Sequence, residues 1–244
     1  MRHNRVQSLH HFFTTAPLPC PYLPNRTERR IVTELTGRDP QAFHDALSRA
    51  GFRRSHNIAY APACEACNAC VPMRVVCQDF RPSKNQKRVI AANRDLCREE
   101  RDAIGTAEQY RLFADYQARR HAGGEMSNMT HTDYQALVED TPVESHIVEY
   151  REPGDGRLVA VCLTDRLSDG HSAVYSFFDP VSPRLSLGTY MILSAIQEAA
   201  ADSLEFLYLG FWIADCDKMA YKSRFTPAEV FRNGSWEMFD PDAH

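Results

Sequence analysis

The apolar run Leu204–Ile213 stops abruptly in Asp215-Cys216-Asp217-Lys218-Met219-Ala220-Tyr221-Lys222. A run of that length and character reads as a buried strand, and a buried strand needs a core around it. Immediately after it, a thiol, two carboxylates, two lysines and a tyrosine fall within eight residues. Delivering dense polar groups at the end of an interior strand is a common way for α/β folds to build a site. The plainer reading is a core strand followed by a solvated helical turn.

The rest of the chain bounds what such a site can serve. With 43% hydrophobic and 25% charged residues, the 244-residue chain is globular rather than disordered. Its longest uncharged apolar run, Phe206–Ala214, is about half of a membrane span. The stretch from Met1 to His11 contains no apolar core of signal-peptide length. A soluble, cytoplasmic protein without a membrane partner is therefore expected. A net charge of −4 argues against a coat for bulk nucleic-acid binding, and DNA is not an expected partner. It leaves room for a local basic face. Arg81, Lys84, Lys87, Arg88 and Arg94 supply five positive charges in fourteen residues with no acid between them. They read as a phosphate-contacting helix face or as a solvated one.

Composition shifts near residue 100. Residues 1–100 hold six of the eight cysteines and read as a cysteine-rich domain of short strands and helices. Val6–Phe13 alternates loosely. Asp39-Pro40 starts a helix whose face is Phe43, Ala46, Leu47 and Ala50, closed by Gly51. Val71–Cys77 is a strand, and Ser83 caps the basic helix to about Asn93. In residues 101–244, Thr106 caps a helix with Tyr110, Phe113, Ala114 and Gln117 on one side, and Thr132 opens a shorter one. Strands Ser145–Arg151, Leu158–Arg166 and Ser172–Phe178 are joined by Pro153-Gly154-Asp155-Gly156 and Ser168-Asp169-Gly170 as hairpins. Helix Leu187–Ala201, strand Leu204–Trp212, a short helix near Lys218–Lys222 and a last strand pair complete the order. The predicted class is α+β: an acetyltransferase-like (GNAT) acyltransferase domain with a mixed, largely antiparallel sheet, preceded by the small cysteine-rich α/β domain.

Three constellations carry chemistry. Cys64-x-x-Cys67-x-x-Cys70, with Cys20 joining from a distance, supplies candidate ligands for zinc or an iron–sulfur cluster; the same thiols read equally as free and half-buried. Arg184, Ser186, Gly188 and Thr189 surround a helix start, where free N–H groups and the dipole favour a phosphate. In acetyltransferase-like folds this turn holds a pyrophosphate, but only Gly188 of the usual glycine pair is present, which suits a smaller phosphate. Lys218 and Lys222, four apart, share a helical face suited to a phosphate or carboxylate, and Trp212 and Tyr221 can frame a base or an apolar group. No histidine lies near Cys216 in sequence, so a covalent cysteine mechanism is not expected. His10, His11 and His131 have no ligand-like spacing and read as structural or exposed.

Beyond these readings, the runs Cys20-Pro-Tyr-Leu-Pro, Gly51-Phe-Arg-Arg-Ser, Cys64-x-x-Cys-x-x-Cys-Val-Pro-Met-Arg, Phe80-Arg-Pro-Ser, Ser176-Phe-Phe-Asp-Pro, Ser186-Leu-Gly-Thr-Tyr and Gly210-Phe-Trp-Ile-x-x-Cys-x-Lys-Met-x-Tyr-Lys resemble the aminoacyl-tRNA–protein transferases, and most of all their bacterial leucyl branch. The resemblance spans about residues 8–239. It implies transfer of leucine from Leu-tRNA to the N-terminal Asp or Glu of acceptor proteins, which creates an N-degron for proteolysis. Arginyl relatives carry a further cysteine where this chain has Leu23, and a cysteine pair where it has Ala69-Cys70. No residue separates leucyl from arginyl donors on physical grounds.

The aminoacyl ester is already activated, so direct aminolysis needs no cofactor and no covalent intermediate. In this scheme Asp179 orients or deprotonates the amine, with Lys218 and Tyr221 as further catalytic candidates. Lys218, Lys222 or Arg184 holds a carboxylate or the terminal phosphate, and Trp212 and Tyr221 frame the adenosine or the leucyl group. The face Arg81, Lys84, Lys87 and Arg88 contacts the acceptor stem. The rival readings are a thiol- or metal-sensing RNA-binding protein, arginyl transfer, and an acetyl-CoA-dependent N-acetyltransferase.

Overall fold

A computed structural model describes residues 10–240. The strand expected at Val6–Phe13 lies partly outside them. The N-terminal region forms β1 (Phe12–Thr14), β2 (Leu18–Pro19), β3 (Thr27–Glu28), β4 (Arg30–Glu34), α1 (Pro40–Arg49), β5 (Arg53–Ser55) and β6 (Ile58–Pro62). Then come β7 (Val71–Val76), α2 (Lys84–Asn93), β8 (Cys97–Asp102), α3 (Ala107–Arg120) and α4 (His131–Glu139). The last part holds β9 (Ser145–Arg151), β10 (Leu158–Leu167), β11 (Gly170–Phe178), α5 (Leu187–Ala201), β12 (Phe206–Trp212), α6 (Asp217–Ala220), β13 (Ala228–Arg232) and β14 (Ser235–Met238).

Two sheets carry the architecture. An antiparallel four-stranded sheet runs β1-β4-β6-β5, and an eight-stranded sheet runs β14-β13-β7-β12-β11-β10-β9-β8. Within the large sheet β11 and β12 are parallel and every other neighbouring pair is antiparallel. The predicted α+β class, with a mixed, largely antiparallel sheet after a small strand-rich region, is what the chain forms. Strands from both sides of residue 100 pair within the large sheet, since β7 sits between β12 and β13. No helix among the described residues is long and apolar enough to cross a membrane.

Helices cover both faces of the large sheet. On one, α2 and α5 bury Val89, Leu193, Ile196 and Ala199 against Val75, Leu207 and Leu209. On the other, Phe113 of α3 and Tyr134 and Val138 of α4 pack on Ile147, Val161, Leu163 and Phe177. Helix starts obey the capping chemistry expected of them: Asp39 accepts from the Ala42 amide at 2.9 Å, and Ser83 and Thr106 form capping boxes with Gln86 and Gln109. The cap of α4 is Thr130, paired with Asp133, and not Thr132. There the Thr130 hydroxyl accepts from the Asp133 amide, and the Asp133 carboxylate accepts in turn from the Thr130 amide.

The buried face of α1 is His44, Asp45, Leu47 and Ser48, while Ala46 and Ala50 of the expected face point to water. The cause is a polar joint between the sheets. Asp45 accepts from the Ser168 amide, and Gln41 donates to the Arg166 carbonyl. At its centre Arg54 grips Asp165 through two hydrogen bonds of 2.6 Å, both side chains fully buried. Ser145 Oγ donates to the same carboxylate at 2.6 Å.

Candidate active site

The parallel strands β11 and β12 pair only from Gly170–Ser172 to Phe206–Tyr208. Beyond that point they diverge, leaving backbone groups of both strands facing a wedge. Three elements reach into it. From β5, Arg53 donates through Nη2 to the Val174 carbonyl at 3.0 Å. Its guanidinium lies over the Phe211 ring, 5.8 Å from the centroid. Gly210 makes room for it. The register shifts between Tyr208 and Gly210, φ there is +70°, and a Cβ would fall 2.5 Å from Arg53 Nε.

From the other side come α6 and the 3₁₀ turn Tyr221–Arg224. The Lys222 ammonium is buried and donates to the Phe211 carbonyl at 2.5 Å. Burial holds its pKa well below the ordinary lysine value, and neighbouring Arg53 pushes it the same way, against Cys216 and Cys70. Tyr221 is 37% exposed, yet its hydroxyl sits in shielded surroundings, where burial and then Tyr116 raise its pKa. Lys218 stands exposed at the rim.

The C-terminal end of α3 closes the third side. Tyr116 contacts the rings of Phe178, at 5.1 Å, and of His121, at 5.3 Å. Arg120 lies over Phe178. The His121 pKa is lowered by burial first and then by the charges of Lys218 and Arg120, so its imidazole is neutral at neutral pH. Phe178 also backs the start of α5, where its ring comes 3.1 Å from the place a Cβ on Gly188 would take.

Helix α2 links both polar segments. Gln86 donates to the Arg224 carbonyl at 2.9 Å, and Asn93 to the Leu185 carbonyl at 2.9 Å. Its buried Gln86, Val89 and Asn93 leave Lys84, Lys87 and Arg88 exposed, with no ion-pair partner among the described residues. Arg81 folds back onto the Gln78 and Phe80 carbonyls. Ser186 caps α5 in a left-handed conformation without a side-chain hydrogen bond. The amides of Leu187, Gly188 and Thr189 therefore lack a side-chain acceptor from the cap.

Several expected residues lie elsewhere. Asp179 is bound to Arg157 at 2.6 Å and to the Val181 amide at 3.0 Å, so its carboxylate is occupied at the turn. Arg184 is clamped between Asp95 and Glu152 and is not free for a carboxylate or phosphate. Trp212 is buried against Phe239 in a cluster with Val71, Met73 and Val230, away from the wedge. Lys222 is in place, but as a buried backbone ligand. Arg53, Tyr116 and His121 are the residues that sequence reasoning missed. A faint signal existed for Arg53: on a strand, Arg53 and Arg54 must point to opposite faces, so one of them faces the large sheet.

The four thiols Cys20, Cys64, Cys67 and Cys70 ring an open pocket together with Tyr22, Arg26, Arg30, Tyr60 and Phe211. Cys70 is pushed up to about 12 by burial and by the other three thiols. Among the described residues no three His, Cys, Asp or Glu side chains are set to hold an ion, and Arg26 and the amides of Leu23 and Arg29 approach the sulfurs of Cys67, Cys20 and Cys64.

Known proteins match this chain along nearly all of it. Residues 18–88 match the family model for the N terminus of arginine-tRNA-protein transferase, and residues 108–232 the model for its C terminus. A protein of Paramagnetospirillum magneticum named aspartate/glutamate leucyltransferase is 52% identical over 99% of this chain and 98% of its own. Proteins of the same name from Granulibacter bethesdensis and Gluconacetobacter diazotrophicus are 52% and 51% identical, covering 92% and 95% of this chain and 84% and 88% of theirs. Among solved structures, L-PGS from Bacillus licheniformis covers 59% of this chain and 47% of its own, at a TM-score of 0.45 and 12% identity. With both family models matched in order, and half the residues shared with full-length relatives, the chain belongs to the arginine-tRNA-protein transferase family.

Proposed function

We propose that this protein transfers the leucyl group of Leu-tRNA to the α-amine of proteins that begin with Asp or Glu. The observation that carries the reading is the 52% identity, over 99% of the chain, to a protein named for that transfer. The wedge supports it with a site shaped for acyl transfer and flanked by a basic helix.

The chemistry asks little beyond positioning. The amine nitrogen attacks the ester carbonyl, a C–N bond forms, and the C–O bond to the ribose breaks. The nitrogen loses a proton and the ribose oxygen gains one. An α-amine titrates at about 7.7–8.0, so part of the acceptor is already neutral in the cytoplasm, where this transfer would act. His121, kept neutral beside Lys218, would take the remaining proton. Lys218 and Tyr221 would offer the developing oxyanion a cationic and an O–H partner. Tyr116, Phe178 and Tyr221 frame the terminal adenosine or the leucyl side chain. Lys84, Lys87 and Arg88 hold the acceptor stem, and the first turn of α5 holds the terminal phosphate. The product carries an N-terminal leucine, which would mark it for proteolysis.

The test is direct. Purified protein is incubated with charged Leu-tRNA, Arg-tRNA or acetyl-CoA and a Glu-initiated peptide, and the peptide is followed by label. Transfer from Leu-tRNA alone is expected. Transfer from acetyl-CoA, from Arg-tRNA in preference, or from none of them would overturn the reading.

A further inference from the structure

Among the described residues, every other buried or half-buried arginine lies within ion-pair distance of a carboxylate. Arg30 has Glu28, Arg54 has Asp165, Arg74 has Glu229, Arg98 has Glu198 and Arg151 has Glu108. Arg29, Arg166, Arg184 and Arg232 are matched in the same way. Arg53 is the exception: half-buried, it has one hydrogen bond, to a backbone carbonyl. The groups around it are Tyr22, Phe211, Tyr221 and a second basic side chain, Lys222. A partly desolvated guanidinium beside another basic group, with no acid near it among the described residues, is costly to keep, and the missing partner is an anion.

We propose that Arg53 binds the side-chain carboxylate of the acceptor's N-terminal Asp or Glu, and so sets acceptor specificity. The inference rests on the leucyl-transfer reading above. One observation favours a carboxylate over a tRNA phosphate, and two more show that Arg53 is set to bind an anion in a fixed place. Arg53 lies at the base of the wedge among aromatic rings, whereas the unpaired exposed charges suited to a phosphate backbone are on α2. Its planar fork, held at one edge by Val174, leaves other N–H groups for a bidentate partner. Its neighbour Arg54 is locked onto Asp165, which fixes β5 and hence the Arg53 backbone against the large sheet. Room for it is made at Gly210, where a Cβ would fall 2.5 Å from Arg53 Nε.

Rates are compared for Glu- and Gln-initiated peptides that differ only at that residue, with Leu-tRNA binding measured separately, for wild type, Arg53→Gln and Arg53→Lys. Wild type is expected to prefer Glu by at least about tenfold, since the buried charge would be left unmatched by Gln. In Arg53→Gln the preference falls below about threefold, because KM for the Glu peptide rises by about 30-fold or more, while Leu-tRNA affinity stays within about threefold. Arg53→Lys keeps an intermediate preference, having the charge without the fork. A merely structural role would lower both peptides alike. Retained Glu preference in Arg53→Gln overturns the assignment, and so does a loss of tRNA affinity with the preference intact, which would make the anion a phosphate. If Arg53→Gln fails to fold, an unchanged preference in Arg53→Lys overturns it instead. No leucyl transfer by wild type to any peptide would sink the parent reading, and this site with it.

Discussion

Arg54→Met severs the joint between the two sheets, and its cost can be worked from the geometry. Both partners of the Arg54–Asp165 pair are fully buried, and the two hydrogen bonds are 2.6 Å long. Removing Arg54 leaves the Asp165 carboxylate with the Ser145 hydroxyl and the His44 ring, whose Nε2 is 3.7 Å away. Breaking one side of such a pair costs about 3–5 kcal/mol, because an uncompensated charge stays buried. In a chain of this size each kcal/mol moves Tm by about 2–4 °C, so a fall of about 10 °C is expected. Replacing both partners, Arg54→Met with Asp165→Leu, removes the buried charge, and the double variant should be clearly less destabilised than the two single changes summed. Urea unfolding followed by circular dichroism gives the three values. Activity adds a second arm. Arg53 sits on the same short strand, and a misplacement of about 1 Å can cost about 10²-fold in rate, so Arg54→Met should lose transfer activity at temperatures where it is still folded. A destabilisation below about 1 kcal/mol, or a double variant that costs the full sum, would refute the reasoning.

Other changes probe the wedge and its approaches. His121→Ala should lower the single-turnover rate by about 10²-fold, with Leu-tRNA binding retained; an unchanged rate removes His121 as a base. Gly210→Ala combines a left-handed φ with a collision at Arg53, and should cost about 1–3 kcal/mol in a urea titration as well as raising acceptor KM. Lys222 has a folded pKa below its unfolded value of 10.5, so between the two the unfolded chain binds the extra proton. Wild-type stability should therefore rise with pH through that window, by up to about 1.4 kcal/mol per unit, and the rise should end near the unfolded pKa. Lys222→Met should lack this contribution, and an identical pH slope in the variant would contradict it. Replacing Lys84, Lys87 and Arg88 by Ala should weaken Leu-tRNA binding and flatten its dependence on log salt by about 2–3, which titrations at several salt concentrations would reveal.

Much of the scaffold was legible because its signals are local. Hairpin turns, the apolar β12 and the caps Asp39, Ser83 and Thr106 each need only a few neighbouring residues to be read. β8 escaped notice because Cys97–Asp102 is an edge strand of charged residues with no apolar alternation. The phase of α1 was misjudged because its partner is a polar joint on β10, which hydrophobic periodicity cannot register. The site divides along the same line. Lys218 and Tyr221 stand out in the sequence because they come directly after a readable strand. Asp179 and Arg184 looked available because their partners Arg157, Asp95 and Glu152 are remote in sequence. Arg53 was hidden for the opposite reason: its meaning is a missing partner, and only the fold shows that no acid among the described residues comes near.

The central claim is that this wedge moves a leucyl group, and no other acyl group, onto an acidic N terminus. A mixture of all charged tRNAs, with acetyl-CoA present, offered to Glu- and Gln-initiated peptides and read by mass spectrometry, tests it in one measurement. The account predicts that the Glu peptide alone becomes heavier, by one leucyl residue on its α-amine. A gain of an arginyl or acetyl group, equal modification of the Gln peptide, or no change in either mass would contradict it.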